Sequence, residues 1–178
     1  LSGGSHTFSD NNKLKNIDNL SLSTTTSTVD FTGQLEALTL TGGSAVDNIT
    51  GGNAADIISG AANDDLLVGG LGDDIISGGD GADTITGGAN NDSLTGGAGN
   101  DTFNIDSGTD IITDLTTGDI VVISNGASLN VTGITGFVAT NASSNANASA
   151  TSANLTAASG TVTILSLIHI SEPTRPSQ

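Results

Sequence analysis

A large apolar residue recurs every nine positions along most of the chain. From Gly42 the sequence divides into seven uninterrupted nine-residue units, GGSAVDNIT, GGNAADIIS, GAANDDLLV, GGLGDDIIS, GGDGADTIT, GGANNDSLT and GGAGNDTFN. The last three residues of each unit predict a minimal β-strand whose middle side chain points inward. The first six residues predict a turn, in which paired Gly and a fourth-place Gly or Asn supply positive φ angles. Two degenerate units follow from Ile105 and Asp114.

Two units, 18 residues, are expected to complete one turn of a flattened coil. The predicted fold is all-β, a right-handed parallel β-roll with small β caps. Residues 18 apart then stack in two inner apolar columns. One predicted column contains Phe31, Ile49, Leu67, Ile85, Phe103 and Val121, and the other contains Leu22, Leu40, Ile58, Ile76, Leu94 and Ile112.

The nine-residue spacing also extends backwards from Gly42. The pairs Leu20 and Leu22, Val29 and Phe31, and Leu38 and Leu40 fall nine residues apart, in the register of the sixth and eighth places. An apolar residue stands where later units have Asp. We therefore expect the coil to begin before residue 42, with hydrophobic turns that bind nothing.

These patterns divide the chain into four predicted regions. Residues 1–41 are expected to form apolar rungs, 42–122 the main β-roll, and 123–164 a cap of short strands with a low-complexity stretch at 141–159. The tail, residues 165–178, resembles the translation of a sequencing adapter, and we expect it to be an artefact rather than natural sequence. Since the chain opens on Leu1, we expect a fragment of a larger protein.

Composition excludes several function classes. The net charge is −16, and Lys13, Lys15 and Arg175 are the only basic side chains, so nucleic acid would be repelled. No apolar run is long enough to span a membrane. Cysteine is absent, which excludes disulfides and thiolate metal sites. No HExxH, GxSxG or Walker-type motif is present, so we expect neither catalytic residues nor enzyme activity.

The sixth place of each unit is Asp, and these carboxylates are expected to stack along two edges of the coil. One edge holds Asp47, Asp65, Asp83, Asp101 and Asp119, and the other holds Asp56, Asp74, Asp92 and Asp110. At a rung spacing of about 4.8 Å, neighbouring like charges repel by roughly 3 kcal/mol. A divalent cation between turns would cancel this repulsion. Oxygen ligands without His or Cys favour Ca²⁺ over zinc or copper.

The pattern GGxGxDxUx, with U a large apolar residue, resembles the RTX, or hemolysin-type, calcium-binding repeats of secreted bacterial proteins. The units that start at Gly69, Gly78 and Gly96 match it fully. The resemblance implies several Ca²⁺ ions between successive turns, held by the sixth-place Asp and by carbonyls of the glycine-rich loops. It makes Asp65, Asp74, Asp83, Asp92 and Asp101 the best ligands, with carbonyls from Gly69, Gly78, Gly87 and Gly96.

Three positions depart from this pattern. Ala45 and Ala54 occupy the fourth place, where positive φ is costly for a residue with a Cβ, and Ala61 interrupts the second-place glycines. We expect weaker sites near residues 45–63.

The resemblance further implies type I secretion and calcium-driven folding outside the cell. The apolar rungs and the Ala/Ser/Thr/Asn-rich end favour a structural or adhesive surface-layer protein. Its expected partners are calcium and either a cell-surface polysaccharide or neighbouring copies. The alternative is the RTX module of a secreted hydrolase or toxin whose catalytic domain lies upstream.

Overall fold

The computed structural model describes residues 4–7, 19–22, 24–123, 128–131, 138–139 and 161–166. Within these residues the regular elements are all β-strands. They are β1 (Gly4–Thr7), β2 (Asn19–Ser21), β3 (Ser27–Asp30), β4 (Thr39–Thr41), β5 (Asp47–Thr50), β6 (Ile57–Ala62), β7 (Leu66–Leu71), β8 (Ile75–Asp80), β9 (Thr84–Ala89), β10 (Ser93–Ala98), β11 (Thr102–Ile105), β12 (Thr109–Ile112), β13 (Ile120–Ile123), β14 (Ser128–Val131), β15 (Val138–Ala139) and β16 (Thr161–Ser166). No helix capable of crossing a membrane occurs in this described part.

The strands form two parallel sheets that face each other. One sheet has the order β1-β3-β5-β7-β9-β11-β13-β16-β15, and the other has the order β14-β12-β10-β8-β6-β4-β2. Consecutive strands from β1 to β14 therefore alternate between the sheets, as they must when the chain winds continuously in one direction. The result is a β-solenoid of about six turns, which confirms the predicted β-roll.

The repeat of the coil is 18 residues through the regular units. Ile49 pairs with Leu67 in one sheet, and Ile58 pairs with Ile76 in the other. Two nonapeptides per turn are thus confirmed. Because side chains alternate between faces of a strand, this register places every eighth-place residue inside.

The core between the sheets is a double stack of single apolar side chains. One column is Val29, Ile49, Leu67, Ile85, Phe103 and Val121, and the facing column is Leu40, Ile58, Ile76, Leu94 and Ile112. All of them are at most 2% exposed. One layer of medium-sized side chains per rung is sufficient for a coil this thin, which explains how the chain folds with so few aromatic residues.

The first rung of each predicted column is wrong by two residues. Val29 occupies the place expected for Phe31, and Leu20 the place expected for Leu22. Both pair with residues 20 positions later rather than 18. The regular step begins at Leu38, whose backbone N–H reaches the carboxylate 18 residues later.

A longer loop between β3 and β4 causes this shift. The backbone N–H of Gln34 donates to the Phe31 carbonyl at 2.9 Å, and Gly33 takes a φ of 92°. This turn accommodates two residues more than the later turns. Phe31 still lies in the core, 1% exposed, although it stands outside the regular column.

The fourth place of the units behaves as the sequence predicts. Asn63 and Asn90 take positive φ angles of 72° and 89°, as do the glycines of the other matching units, such as Gly99. Ala45 and Ala54 do not take a positive φ. The first two units of the array therefore have a different backbone path from those that follow.

The sheets continue beyond the last regular unit. β14 pairs with β12, and β16 pairs with β13, so the expected strand at Thr161–Ile164 is present and extends to Ser166. The low-complexity stretch 141–159 and the tail from residue 167 lie outside the described residues.

Candidate metal centre

The sixth-place aspartates form two buried columns, one at each edge of the coil. The first column is Asp47, Asp65, Asp83, Asp101 and Asp119, and the second column is Asp56, Asp74, Asp92 and Asp110. Each of the nine is at most 3% exposed. Lys13, Lys15 and Arg175 all lie outside the described residues, so no Lys or Arg in the described part neutralises these carboxylates.

One oxygen of each carboxylate binds the preceding turn. Asp83 Oδ1, for example, accepts a hydrogen bond from the backbone N–H of Asp65, 18 residues earlier. Seven such Asp-to-Asp bonds have donor–acceptor distances of 2.7 to 3.0 Å. The strict spacing of Asp therefore has a structural reason, since each side chain staples its turn to the one before.

The second oxygen divides the carboxylates into two kinds. In six of them Oδ2 is buried and accepts no hydrogen bond, and we call these the open carboxylates: Asp65, Asp74, Asp83, Asp92, Asp101 and Asp110. In the other three Oδ2 accepts a bond, and we call these the closed carboxylates. Their donors are the backbone N–H of Gly43 for Asp47, that of Gly52 for Asp56, and the backbone N–H and hydroxyl of Thr116 for Asp119.

The backbone at the second place of each unit explains this difference. Gly43 and Gly52 do not take a positive φ, and their N–H groups point at their own unit's Asp. The second-place residues of the next five units all take a positive φ of 87° to 117°: Ala61, Gly70, Gly79, Gly88 and Gly97. In those five units Oδ2 has no donor. Ala61 adopts the same positive-φ conformation as these glycines. The backbone of the array is therefore continuous at this position, although the sequence lacks a glycine there.

In five of the six open carboxylates, all except Asp110, Oδ2 lies against the first-place glycine of its own unit. A Cβ added to Gly78 would collide with Asp83 Oδ2 and would stand 2.6 Å from the carbonyl oxygen of Gly96 in the next turn. A carboxylate oxygen and a backbone carbonyl oxygen therefore border the same small space. The same Asp contact occurs at Gly60, Gly69, Gly87 and Gly96. The carbonyl oxygens of the four predicted glycines, Gly69, Gly78, Gly87 and Gly96, border such spaces, and their role as cation ligands stays a prediction.

Burial raises the pKa of the open carboxylates. The pKa of both Asp65 and Asp74 rises to about 7, first because burial disfavours the charged form and then because charged aspartates stack above and below. The pKa of Asp101 and that of Asp110 rise to about 6, first because of burial and then because of neighbouring charged aspartates. Burial also raises the pKa of Asp83, of Asp92 and, among the closed carboxylates, of Asp56. Without a counter-ion, the ionised columns therefore destabilise the fold.

The chemistry of this arrangement suits a hard divalent cation. All available ligand atoms are oxygens, and within the described residues no three acidic or His side chains converge on one point. A cation here would take one or two carboxylate oxygens and complete its shell with backbone carbonyls. Calcium accepts such mixed oxygen shells with variable geometry, whereas Mg²⁺ requires a near-ideal octahedron.

Asp114 has a structural role that the nine-residue pattern does not predict. This residue replaces the first-place glycine of the last unit, and its two oxygens accept the backbone N–H groups of Gly96 and Gly97 at 2.8 Å each. Asp114 and the closed carboxylate of Asp119 therefore both have hydrogen-bond donors for their two oxygens at the end of the array. The loss of the glycine pair at this unit was the available signal.

Fifth-place side chains also join successive turns, in the opposite direction. Asp64 accepts a hydrogen bond from the N–H of Ala82, and Asp73 from the N–H of Asn91. Both side chains are exposed, and each also bonds the following turn.

Together these features define a parallel β-solenoid in which buried carboxylates, six of them with an unpaired Oδ2, lie along both edges of the coil. Residues 41–76 and residues 77–112 each match the family model of the RTX calcium-binding nonapeptide repeat (4 copies). Residues 41–112 thus consist of RTX repeats, which confirms the resemblance for this part of the chain. Such repeats bind calcium in general and are typical of secreted proteins. The search of curated proteins and the search of solved structures each gave no match.

Proposed function

We propose that the chain binds several Ca²⁺ ions along both edges of the solenoid, through the open carboxylates and the carbonyls of the glycine turns. The observation that carries this proposal is the set of six buried Oδ2 atoms without a hydrogen-bond partner. Nearly all buried polar atoms in proteins have a partner, and an unpaired charged oxygen is especially costly.

In this proposal calcium has two roles: the folded chain binds it, and the chain requires it in order to fold. The open carboxylates are brought together only by the coil, so an unfolded chain offers no preformed site. Binding free energy then becomes folding free energy. One buried aliphatic side chain per unit contributes too little to order nine residues by itself, so the ions supply the remaining stability.

The setting that fits this proposal is the outside of the cell. Extracellular calcium-binding modules work at the high micromolar to millimolar calcium concentrations found there. RTX repeats are typical of secreted proteins. We accordingly propose an exported protein in which the solenoid has a structural or adhesive role, after type I secretion in an unfolded, calcium-free form.

Calorimetric titration with CaCl₂, followed in parallel by far-UV circular dichroism, tests the proposal. We expect saturable binding of several ions and a gain of most of the β signal, with a much weaker response to MgCl₂. A chain that has the same β signal in chelator as in millimolar calcium, with no heat of binding, would overturn it.

A further inference from the structure

The two kinds of carboxylate are not distributed at random. Both closed carboxylates at the start of the array, Asp47 and Asp56, belong to turns within residues 27–58, which we call the starter segment. All open carboxylates lie in residues 60–112, which we call the open segment. We infer that the starter segment folds without calcium and serves as the template on which the open segment winds when calcium binds. This inference rests on the proposed function.

Hydrogen bonds within the chain satisfy the carboxylates of the starter segment. Asp47 accepts the N–H of Ser27 at 2.9 Å on Oδ1 and that of Gly43 at 2.8 Å on Oδ2. Asp56 accepts the N–H of Leu38 at 2.8 Å and that of Gly52 at 2.7 Å. Two backbone donors on an ionised carboxylate do what a cation would otherwise do.

Like-charge stacking is also absent within the starter segment. The residue stacked before Asp47 is Ser27, and the residue stacked before Asp56 is Leu38, so neither carboxylate has a charged neighbour on that side. Asp83, by contrast, lies between Asp65 and Asp101 in its column. Without cations, electrostatic repulsion therefore opposes folding of the open segment much more than that of the starter segment.

The starter segment also has more apolar burial per turn. Its buried apolar side chains are Val29, Phe31, Leu38, Leu40, Ile49 and Ile58. Phe31 and Leu38 are additions that the open-segment units lack, since Leu38 stands where those units have Asp. Hydrophobic burial is independent of calcium, so it stabilises this segment in chelator as well.

The starter segment offers a ready edge to the first open turns. The backbone N–H of Asp47 donates to Asp65 Oδ1, and that of Asp56 donates to Asp74 Oδ1, both at 2.7 Å. These donors are fixed once the starter segment is folded. Each open rung added next to them forms one such bond and creates the carbonyl-lined space for the next ion.

Hydrogen–deuterium exchange of the full chain, read by mass spectrometry in chelator and in millimolar CaCl₂ at pH 7.5, tests this inference. In chelator we expect peptides from the starter segment to be protected and those from the open segment to exchange at close to the unfolded rate. Calcium should then protect the open segment at least tenfold. Uniform protection, or uniform exchange, along both segments in chelator would overturn the inference.

The matched variants Asp56→Asn and Asp74→Asn separate the two kinds of carboxylate, because they are neighbours in one column and remove the same charge. Asp74→Asn should lower the number of bound Ca²⁺ ions and leave starter protection in chelator unchanged. Asp56→Asn should leave the number of ions unchanged but reduce starter protection in chelator, since an amide NH₂ faces the N–H of Gly52. Equal loss of ions in both variants would contradict the inference while leaving calcium binding intact.

Absence of calcium binding in the wild-type chain would instead overturn the proposed function itself. If Asp56→Asn fails to fold even in calcium, that result supports a structural requirement for the closed carboxylate. The exchange map of the wild-type chain in chelator then decides whether the starter segment folds without calcium. The two failures are thus distinguishable from the same set of measurements.

Discussion

The starter segment and the open segment are built from the same nine-residue unit, and they differ chiefly in where one backbone N–H points. In the starter segment the second-place N–H turns inward and donates to the Asp of its unit. In five units of the open segment a positive φ at that place removes the donor, and the carboxylate oxygen is left buried without a partner. A single backbone torsion thus separates the two units whose Asp has a donor for each oxygen from the five units in which Oδ2 has none.

The largest effect is expected from removing two open carboxylates together. The double variant Asp83→Asn with Asp101→Asn should reduce the stabilisation by saturating calcium by about 3 to 5 kcal/mol, because a buried cation loses charged ligands. Urea unfolding at saturating calcium measures this change. The double variant Asp64→Asn with Asp73→Asn removes the same charge from exposed fifth-place residues and keeps an oxygen for the N–H of the next turn, so it should change stability by less than about 1 kcal/mol. Equal losses in the two variants would erase the distinction between sixth-place and fifth-place acids.

A second pair of variants compares the cores of the two segments. Leu40→Ala in the starter segment and Ile85→Ala in the open segment should each cost about 2 to 5 kcal/mol in calcium, because each removes a fully buried side chain. In chelator only Leu40→Ala should have an effect, seen as faster exchange of starter peptides. An equal effect of Ile85→Ala in chelator would mean that the open segment is already folded without ions.

Changes of pH should have opposite effects on the metal-free and on the calcium-bound open segment. The pKa of Asp65 and that of Asp74 are about 7 in the metal-free fold, against a usual value of 3.8, so the fold binds protons more tightly than the unfolded chain. Lowering the pH from 7 towards 5 should therefore stabilise the metal-free open segment, and raising it again through 7 should remove that gain. In calcium the direction reverses, because protons compete with the ion, and the calcium midpoint should rise as pH falls. Circular dichroism with and without calcium at pH 5 and pH 7.5 measures both trends; a metal-free signal that weakens at pH 5 would contradict the raised pKa values.

The smallest expected effect concerns the second-place alanine. Ala61 has a φ of 87°, a conformation that is strained for a residue with a Cβ, so Ala61→Gly should stabilise the calcium-bound chain by about 1 kcal/mol. Ala54 does not take a positive φ, and Ala54→Gly should be neutral or destabilising by up to about 1 kcal/mol. Thermal unfolding in calcium compares the two. A gain at both positions would show that backbone strain does not separate the segments.

Much of the fold was predictable because the repeat imposes it. An apolar eighth place every nine residues leaves few alternatives to a two-strand turn, and the register of Ile49 on Leu67 follows from counting alone. The first rung was mispredicted because the apolar pairs at residues 29–31 and 38–40 keep the nine-residue spacing although the intervening loop is longer. The sequence pattern does not show which member of such a pair will join the regular column.

The nine-residue pattern by itself determined the solenoid, the apolar columns and the two edges of stacked Asp, because periodic side chains on a periodic backbone must align. Only the tertiary structure decided which carboxylates are open and which are closed. It also showed that Asp114 accepts the N–H groups of the last glycine pair, Gly96 and Gly97. Those outcomes depend on the direction of individual N–H groups and on contacts between residues a full turn apart. The direction of each N–H group is set by φ angles in the folded coil. Two glycines at the same place of the unit, such as Gly52 and Gly70, can have different φ angles.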